Sequence, residues 1–248
     1  MYINDINILY YLGIGIIGLL VGQFIDWCDK RLPEYKKVFS KEFFTVYFKE
    51  AKPKYLLMVI TAAMYVGLLY FFGFSIDTLK YMFLVPMLIS AFVIDYRLQI
   101  IPNRLTLTIF ETGLIFTFAS VLINTNAGIS IFMNNMLGMI VGGGIFLIIT
   151  LIGGLIAGKD AMGFGDVKLM GALGLFFGWM NIIMVAVMAF LLAAVISIII
   201  LVSRKKKADE YIPFGPFIVI SAIIAMFVPS TLLLTALFKI FTLGLYKG

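Results

Sequence analysis

The chain has no histidine, a single cysteine (Cys28) and, over 248 residues, only 13% charged residues. One thiol excludes an intramolecular disulfide framework. With no histidine either, zinc hydrolase chemistry built on His or Cys ligands has nothing to work with. The shortage of charge, set against 62% hydrophobic residues and a mean hydropathy of +1.09, excludes a pair of soluble domains. Basic residues are also missing ahead of the first apolar run, which is preceded only by Asp5. That start does not read as a cleavable signal peptide, so the run is expected to remain as a membrane helix.

What is there is a series of apolar runs of about 20 residues, the length that crosses a hydrocarbon core of about 30 Å at 1.5 Å per residue. Barrel strands would instead be about 10 residues long with alternating polarity. The fold class is therefore all-α and polytopic, with about eight transmembrane helices. The expected spans are Ile6 to Trp27, Tyr55 to Ser75, Thr78 to Asp95, Leu105 to Ile123 and Ile131 to Ala157. Two more lie between Val167 and Val202, parted at Gly178-Trp179, and the last ends near Phe238. Gly18 and Gly22 in the first have the spacing that admits a close helix neighbour. Between Trp27 and Lys54 the residues Phe39, Phe43, Phe44, Tyr47 and Phe48 recur at helical spacing among lysines. They predict an amphipathic helix that lies on the inner leaflet or packs on the protein's own cytosolic face.

The loops at Trp27 to Lys54, Asp95 to Arg104, Gly158 to Lys168 and Ser203 to Ile212 hold sixteen of the nineteen basic residues. By the positive-inside rule these loops face the cytosol and both termini lie outside. The net charge of +6 is thereby explained by topology, without a nucleic acid partner. The partner that composition implies is the lipid bilayer.

Two carboxylates stand out, because an acid at membrane depth is costly and tends to persist where it performs a task. Asp95 and Asp166 lie seventy-one residues apart, both on the cytosolic side of this topology. The expected helices, Thr78 to Ile94 and Val167 to Gly178, are shorter than the membrane core, which places both acids beneath its surface. Such a pair hydrolyses an amide without a metal: one carboxyl stays protonated and polarises the carbonyl, the other activates a water. Gly163 and Gly165 permit close approach of a substrate backbone or unusual dihedrals, and Asp166 is a candidate helix cap. The residues alone leave two alternatives open: ion coupling in a transporter with broken helices, or structural pairing with Lys168 or Arg97. Glu111 reads as a carboxylate hydrogen-bonded within the bundle or paired with a loop cation, and Lys168 as an inner-face anchor.

Four stretches, in order, resemble the type IV prepilin peptidases, intramembrane aspartic proteases with a GxGD signature. They are Gly22-Gln23-Phe24-Ile25-Asp26 with Arg31-Leu32-Pro33, Ile94-Asp95 with Ile101-Pro102-Asn103-Arg104-Leu105-Thr106, Gly163-Phe164-Gly165-Asp166-Val167-Lys168-Leu169, and Pro213-Phe214-Gly215-Pro216-Phe217. The resemblance implies that Asp95 and Asp166 are catalytic, supported by Gly163, Gly165, Lys168, Pro102 and Asn103. It implies type IV prepilins or pseudopilins as substrates, their short basic leader removed at the cytosolic face of a bacterial inner membrane. It also implies a division into residues 1–54, the first helix with its loop, and 55–248, a seven-helix peptidase core.

The sequence departs from the family in its first loop. Many bacterial members carry two CxxC pairs there that bind zinc, and also methylate the new N-terminus with S-adenosylmethionine. Here the loop offers Cys28 alone, so no metal is expected. Gln23 and Asp26 replace the usual Ser and Asn. The peptidase is expected to need no cofactor, S-adenosylmethionine entering only if the methyltransferase activity is retained.

Overall fold

The computed structural model describes residues 2–4, 6–38, 43–47, 53–157, 162–203 and 212–241. A two-residue hairpin, β1 (Tyr2–Ile3) with β2 (Ile6–Asn7), is followed by α1 (Ile8–Arg31), α2 (Tyr55–Phe72), α3 (Ile76–Leu98), α4 (Asn103–Ile123), α5 (Gly128–Ala157), α6 (Phe164–Val202), α7 (Gly215–Phe227) and α8 (Ser230–Phe241). The chain packs as two compact units, Met1–Thr112 and Gly113–Gly248. The protein is an all-helical, multi-pass membrane protein, as its composition demands.

Helix ends follow local chemistry. The Asn7 side chain accepts from the Leu9 N–H and caps α1, and Lys30 and Arg31 occupy its last turn, where the dipole favours cations. In α3 the Ser75 hydroxyl accepts from Thr78 N at 3.1 Å, and Asp77 in the first turn pairs with Lys80 at 2.7 Å. The helix ends at Gln99, which is left-handed (φ 56°) and donates its N–H to Asp95 O at 2.9 Å.

In the first unit α1 packs along α2. A Cβ at Gly18 would come 2.5 Å from Ala62 Cα, and one at Gly22 2.5 Å from Met58 Cα, so the paired glycines let the two backbones meet. Within α3, Pro86 has no N–H to offer the carbonyl of Met82 one turn earlier. The Tyr65 hydroxyl of α2 donates to that carbonyl at 2.7 Å instead, as an apolar surrounding requires.

In the second unit α6 reverses. A Cβ on Gly142 of α5 would touch both Met170 O and the Ile182 side chain. In a straight helix those residues would stand about 18 Å apart. The reversal occurs at Gly178, whose φ of 73° and ψ of 174° belong to a region that is essentially glycine's alone. Gly138 meets Gly174 and Gly178 at this end, and the Asn134 side chain fills the space beside Gly178. Phe146 stacks on Phe190 farther along the second arm, 5.4 Å between centroids. The expected pair of helices parted at Gly178-Trp179 is therefore an antiparallel pair, 164–177 and 179–202.

Elsewhere the boundaries differ from expectation. The last span is not one helix: α7 stops at Phe227 and α8 leaves at 117° after Val228 and Pro229. Pro229 disfavours helical backbone in the residue before it, and Val228 is extended (φ −109°, ψ 120°). Among the described residues six helices are long and apolar enough to cross a membrane with α6 counted once, and seven with the bent pair. Separating the arms of α6 gives eight apolar segments. α1 continues a full turn past Trp27 to Arg31, and α3 runs past Asp95 to Leu98. At 23 residues α3 is long enough to span the core, so its length does not by itself sink Asp95 below the surface.

Of the predicted amphipathic helix, Phe43–Tyr47 forms one π-helical turn, and Phe39, Lys41, Phe48 and Lys49 lie outside the described residues. The Phe43 and Tyr47 rings stack at 5.0 Å and pack edge-on against Phe24 and Trp27 of α1. This turn rests on the protein itself.

Candidate active site

Asp95 occupies the last turn of α3 and is 4% exposed. Its helix is buried at Leu88, Ala91 and Ile94, while Tyr96, Arg97 and Leu98 are exposed, so the acid marks the point at which α3 leaves the packed interior. The chain turns at Gln99 and re-enters a helix through Pro102, which is buried and whose carbonyl accepts from Leu105 N at 3.0 Å and Thr106 N at 3.2 Å. Asn103 opens α4 and is exposed, its carbonyl accepting from the Thr106 hydroxyl at 3.0 Å.

Arg104, the next residue, was not singled out by sequence reasoning. Its guanidinium donates to Tyr35 O at 2.7 Å and lies 5.5 Å over the Tyr35 ring. Tyr35 holds a left-handed φ of 55°, just after Arg31-Leu32-Pro33. Arg31 donates to Lys37 O at 2.9 Å and covers the Trp27 ring, and Trp27 donates to Val38 O at 3.0 Å. The segment after α1 is thus folded back onto α1 and onto the start of α4. The signals in the sequence are an arginine beside a proline-bearing turn and its place in the Ile101-Pro102-Asn103-Arg104-Leu105-Thr106 stretch.

Asp166 lies in the second unit, in the first turn of α6, and is also 4% exposed. The cap of that helix is Gly163, not Asp166: Gly163 is extended (φ −68°, ψ 136°), and its carbonyl accepts from Asp166 N at 3.0 Å. Asp166 is the third residue inside, where the positive end of the helix favours an acid. The dihedral role expected of Gly163 and Gly165 is absent, since among the described residues the glycines with positive φ are Gly73 and Gly178. A Cβ on Gly163 would stand in van der Waals contact with Asp166 Oδ2 at 3.5 Å, so the glycine keeps that side of the carboxylate uncovered. Val167, Leu169 and Met170 are buried and Lys168 is exposed. The arm carrying Asp166 is short, residues 164–177, about 21 Å of helix.

The Pro213-Phe214-Gly215-Pro216-Phe217 stretch opens α7. Phe214 packs with Phe190 at 5.0 Å, Phe146 at 5.8 Å and Phe217 at 6.0 Å, and Gly215 and Pro216 are buried. Glu111, expected to be bonded within the bundle or paired with a loop cation, is exposed on α4. Cys28 is half-buried near the end of α1, and among the described residues no three His, Cys, Asp or Glu side chains gather as metal ligands.

Residues 82–198, which include both aspartates, match the family model of the type IV leader peptidase family. The chain is 33% identical over 156 residues to a prepilin leader peptidase/N-methyltransferase of Legionella pneumophila, covering 63% of this chain and 52% of that protein. It is 29% identical over 149 residues to the protein of the same name from Aeromonas hydrophila, covering 60% and 49%. With the counterpart of Pseudomonas aeruginosa the identity is 27% over 174 residues, covering 70% and 58%. The chain spans about half the length of the curated relatives it matches. No solved structure matches it.

Proposed function

We infer that this chain is a type IV prepilin peptidase, an intramembrane aspartic endopeptidase that removes the basic leader of type IV prepilins or pseudopilins, a reading supported by its match to the leader peptidase family model and by its similarity to the relatives above. The observation that carries the reading is the burial of two acids, Asp95 and Asp166, each 4% exposed and set among buried apolar side chains inside the matched segment. In this reading residues 55–248 form the peptidase core of an inner-membrane protein. Its active site faces the cytosol and both termini lie outside, as the distribution of basic residues suggests.

Hydrolysis in this reading requires the two carboxyls to act as a pair that shares one proton, because two like charges brought within a few ångströms do not both ionise. The ionised member takes a proton from water as it attacks the scissile carbonyl. The protonated member donates to the carbonyl oxygen as it gains charge, and the pair titrates as a unit. Gly163 leaves room beside Asp166 for the substrate backbone, and Pro102 and Asn103 fix the turn that follows Asp95. The proposed hydrolysis requires neither metal nor cofactor. The transferase part of the relatives' names extends to this chain only if a methyl donor, S-adenosylmethionine, is used by it, and none of the residues above has a role in holding that molecule.

Ion coupling by the same acids has no observation on its side. The helix break at Gly178 lies about 18 Å along the helix from Asp166, too far for the carbonyls freed there to reach the acid. Cleavage of a prepilin by the purified chain in detergent with EDTA present, lost in Asp95→Asn and in Asp166→Asn, tests the reading. Undiminished cleavage by either variant would sink it.

A further inference from the structure

The sequence places several acids around the end of α1, and the structure sorts them. Glu34 is exposed and pairs with Lys36 at 2.6 Å, which holds its carboxyl below the usual range. Glu42 lies outside the described residues. Asp26 and Asp29 are different, each only 8% exposed and three residues apart on one face of α1. Asp26 has partners, Lys30 at 2.7 Å and Lys54 at 3.9 Å. Asp29 has both carboxylate oxygens buried, and neither makes a hydrogen bond among the described residues. Ser90 of α3 lies close to it without the geometry of a regular bond, and Arg97, exposed on the same helix, is the charge that α3 contributes nearby.

A buried carboxylate without hydrogen bonds is a rare arrangement that calls for a donor. The cations already present are loosely held: the Lys30 and Lys54 side chains are 63% and 45% exposed, and ion pairs that reach solvent so readily exchange at small cost. The location also suits a peptide. Ser90, opposite Asp29, precedes Asp95 by five residues on α3, an axial offset of about 7.5 Å. That is two to three residues of extended chain.

We propose that Asp29, with Asp26 one turn before it, is the subsite for a cationic side chain of the peptide substrate, a lysine or arginine of the leader a few residues from the scissile bond. The proposal rests on the reading of this chain as a leader peptidase. Its test compares two prepilins, one with its native basic leader and one in which each basic leader residue is glutamine, cleaved by the full chain in detergent. The wild type is expected to favour the basic leader about tenfold in kcat/KM, the scale of one charge-assisted hydrogen bond, with the difference in KM. Asp29→Asn brings that ratio close to one. Asp29→Glu, which keeps the charge, retains most of it. A variant that slows both leaders alike and preserves the ratio would show a structural role and overturn the subsite, as would one that changes nothing. If Asp29→Asn does not fold, Asp26→Asn is read by the same ratio, and an unchanged ratio overturns the proposal. Failure of the wild type to cleave either leader overturns the leader-peptidase reading itself, an outcome distinct from cleavage that ignores Asp29.

Discussion

The guanidinium of Arg104 donates to the carbonyl of Tyr35, 69 positions earlier, at 2.7 Å and lies 5.5 Å over its ring. One side chain thereby fastens the segment after α1 to the turn that follows Asp95, at a residue whose left-handed backbone needs outside support. Both partners are exposed, so the loss of the contact should appear as local opening more than as global unfolding.

Arg104→Ala should therefore free the segment around Lys36 and Lys37. Limited trypsin digestion in detergent is expected to cut there several times faster than in the wild type, with the thermal midpoint little changed. Equal digestion rates would show that the contact does not hold the segment.

Tyr65 and Pro86 give a second prediction, because the tyrosine hydroxyl serves a carbonyl that the proline leaves free. Tyr65→Phe should destabilise the protein by about 1 kcal/mol. In a Pro86→Ala background, where residue 86 supplies its own N–H to Met82 O, the same change should cost much less. Thermal unfolding of the four proteins in one detergent gives this double-mutant cycle, and additive effects would refute the coupling.

At Gly178 any side chain meets both a glycine-only conformation and the Asn134 side chain. Gly178→Ala should cost about 1–3 kcal/mol and loosen the reversal of α6. Gly144→Ala, where a Cβ meets nothing within 4 Å, serves as the control and should be neutral or slightly stabilising. Similar melting of the two variants would mean that the reversal is not held at Gly178.

For the proposed chemistry, Asp95→Asn and Asp166→Asn should each lower prepilin cleavage by at least about 10²-fold while the protein stays folded. EDTA should leave the wild-type rate unchanged. Mass spectrometry of the cleaved product made with and without S-adenosylmethionine then reads whether a methyl group is added. A mass gain of one methyl, dependent on that donor, would establish the transferase activity in this chain.

Much of this architecture is written locally. The apolar runs give the spans because their length is matched to the bilayer, and the excess over one span between Val167 and Val202 announces a break that only a glycine permits. Asp95 and Asp166 are legible for a related reason, since each is an acid at the edge of a long apolar run. The helix ends were less legible. α1 and α3 run past their apolar stretches because capping by Leu32 and Gln99 is set by backbone hydrogen bonds, not by hydropathy. The bend at Val228-Pro229 was missed although proline marks it, because the apolar run continues through it.

The sequence by itself determined the class of the protein, its apolar spans other than the last, the glycine at which α6 turns and the two acids proposed for catalysis, since all of these follow from composition and spacing along one segment. Only the tertiary structure decided that Asp29 is a buried acid without a hydrogen bond among the described residues while Glu34 is a solvated one, that Arg104 reaches Tyr35, and that Tyr65 serves the carbonyl freed by Pro86. Burial and hydrogen bonding between distant segments depend on which helix faces carry the packing, and no local pattern of residues encodes that.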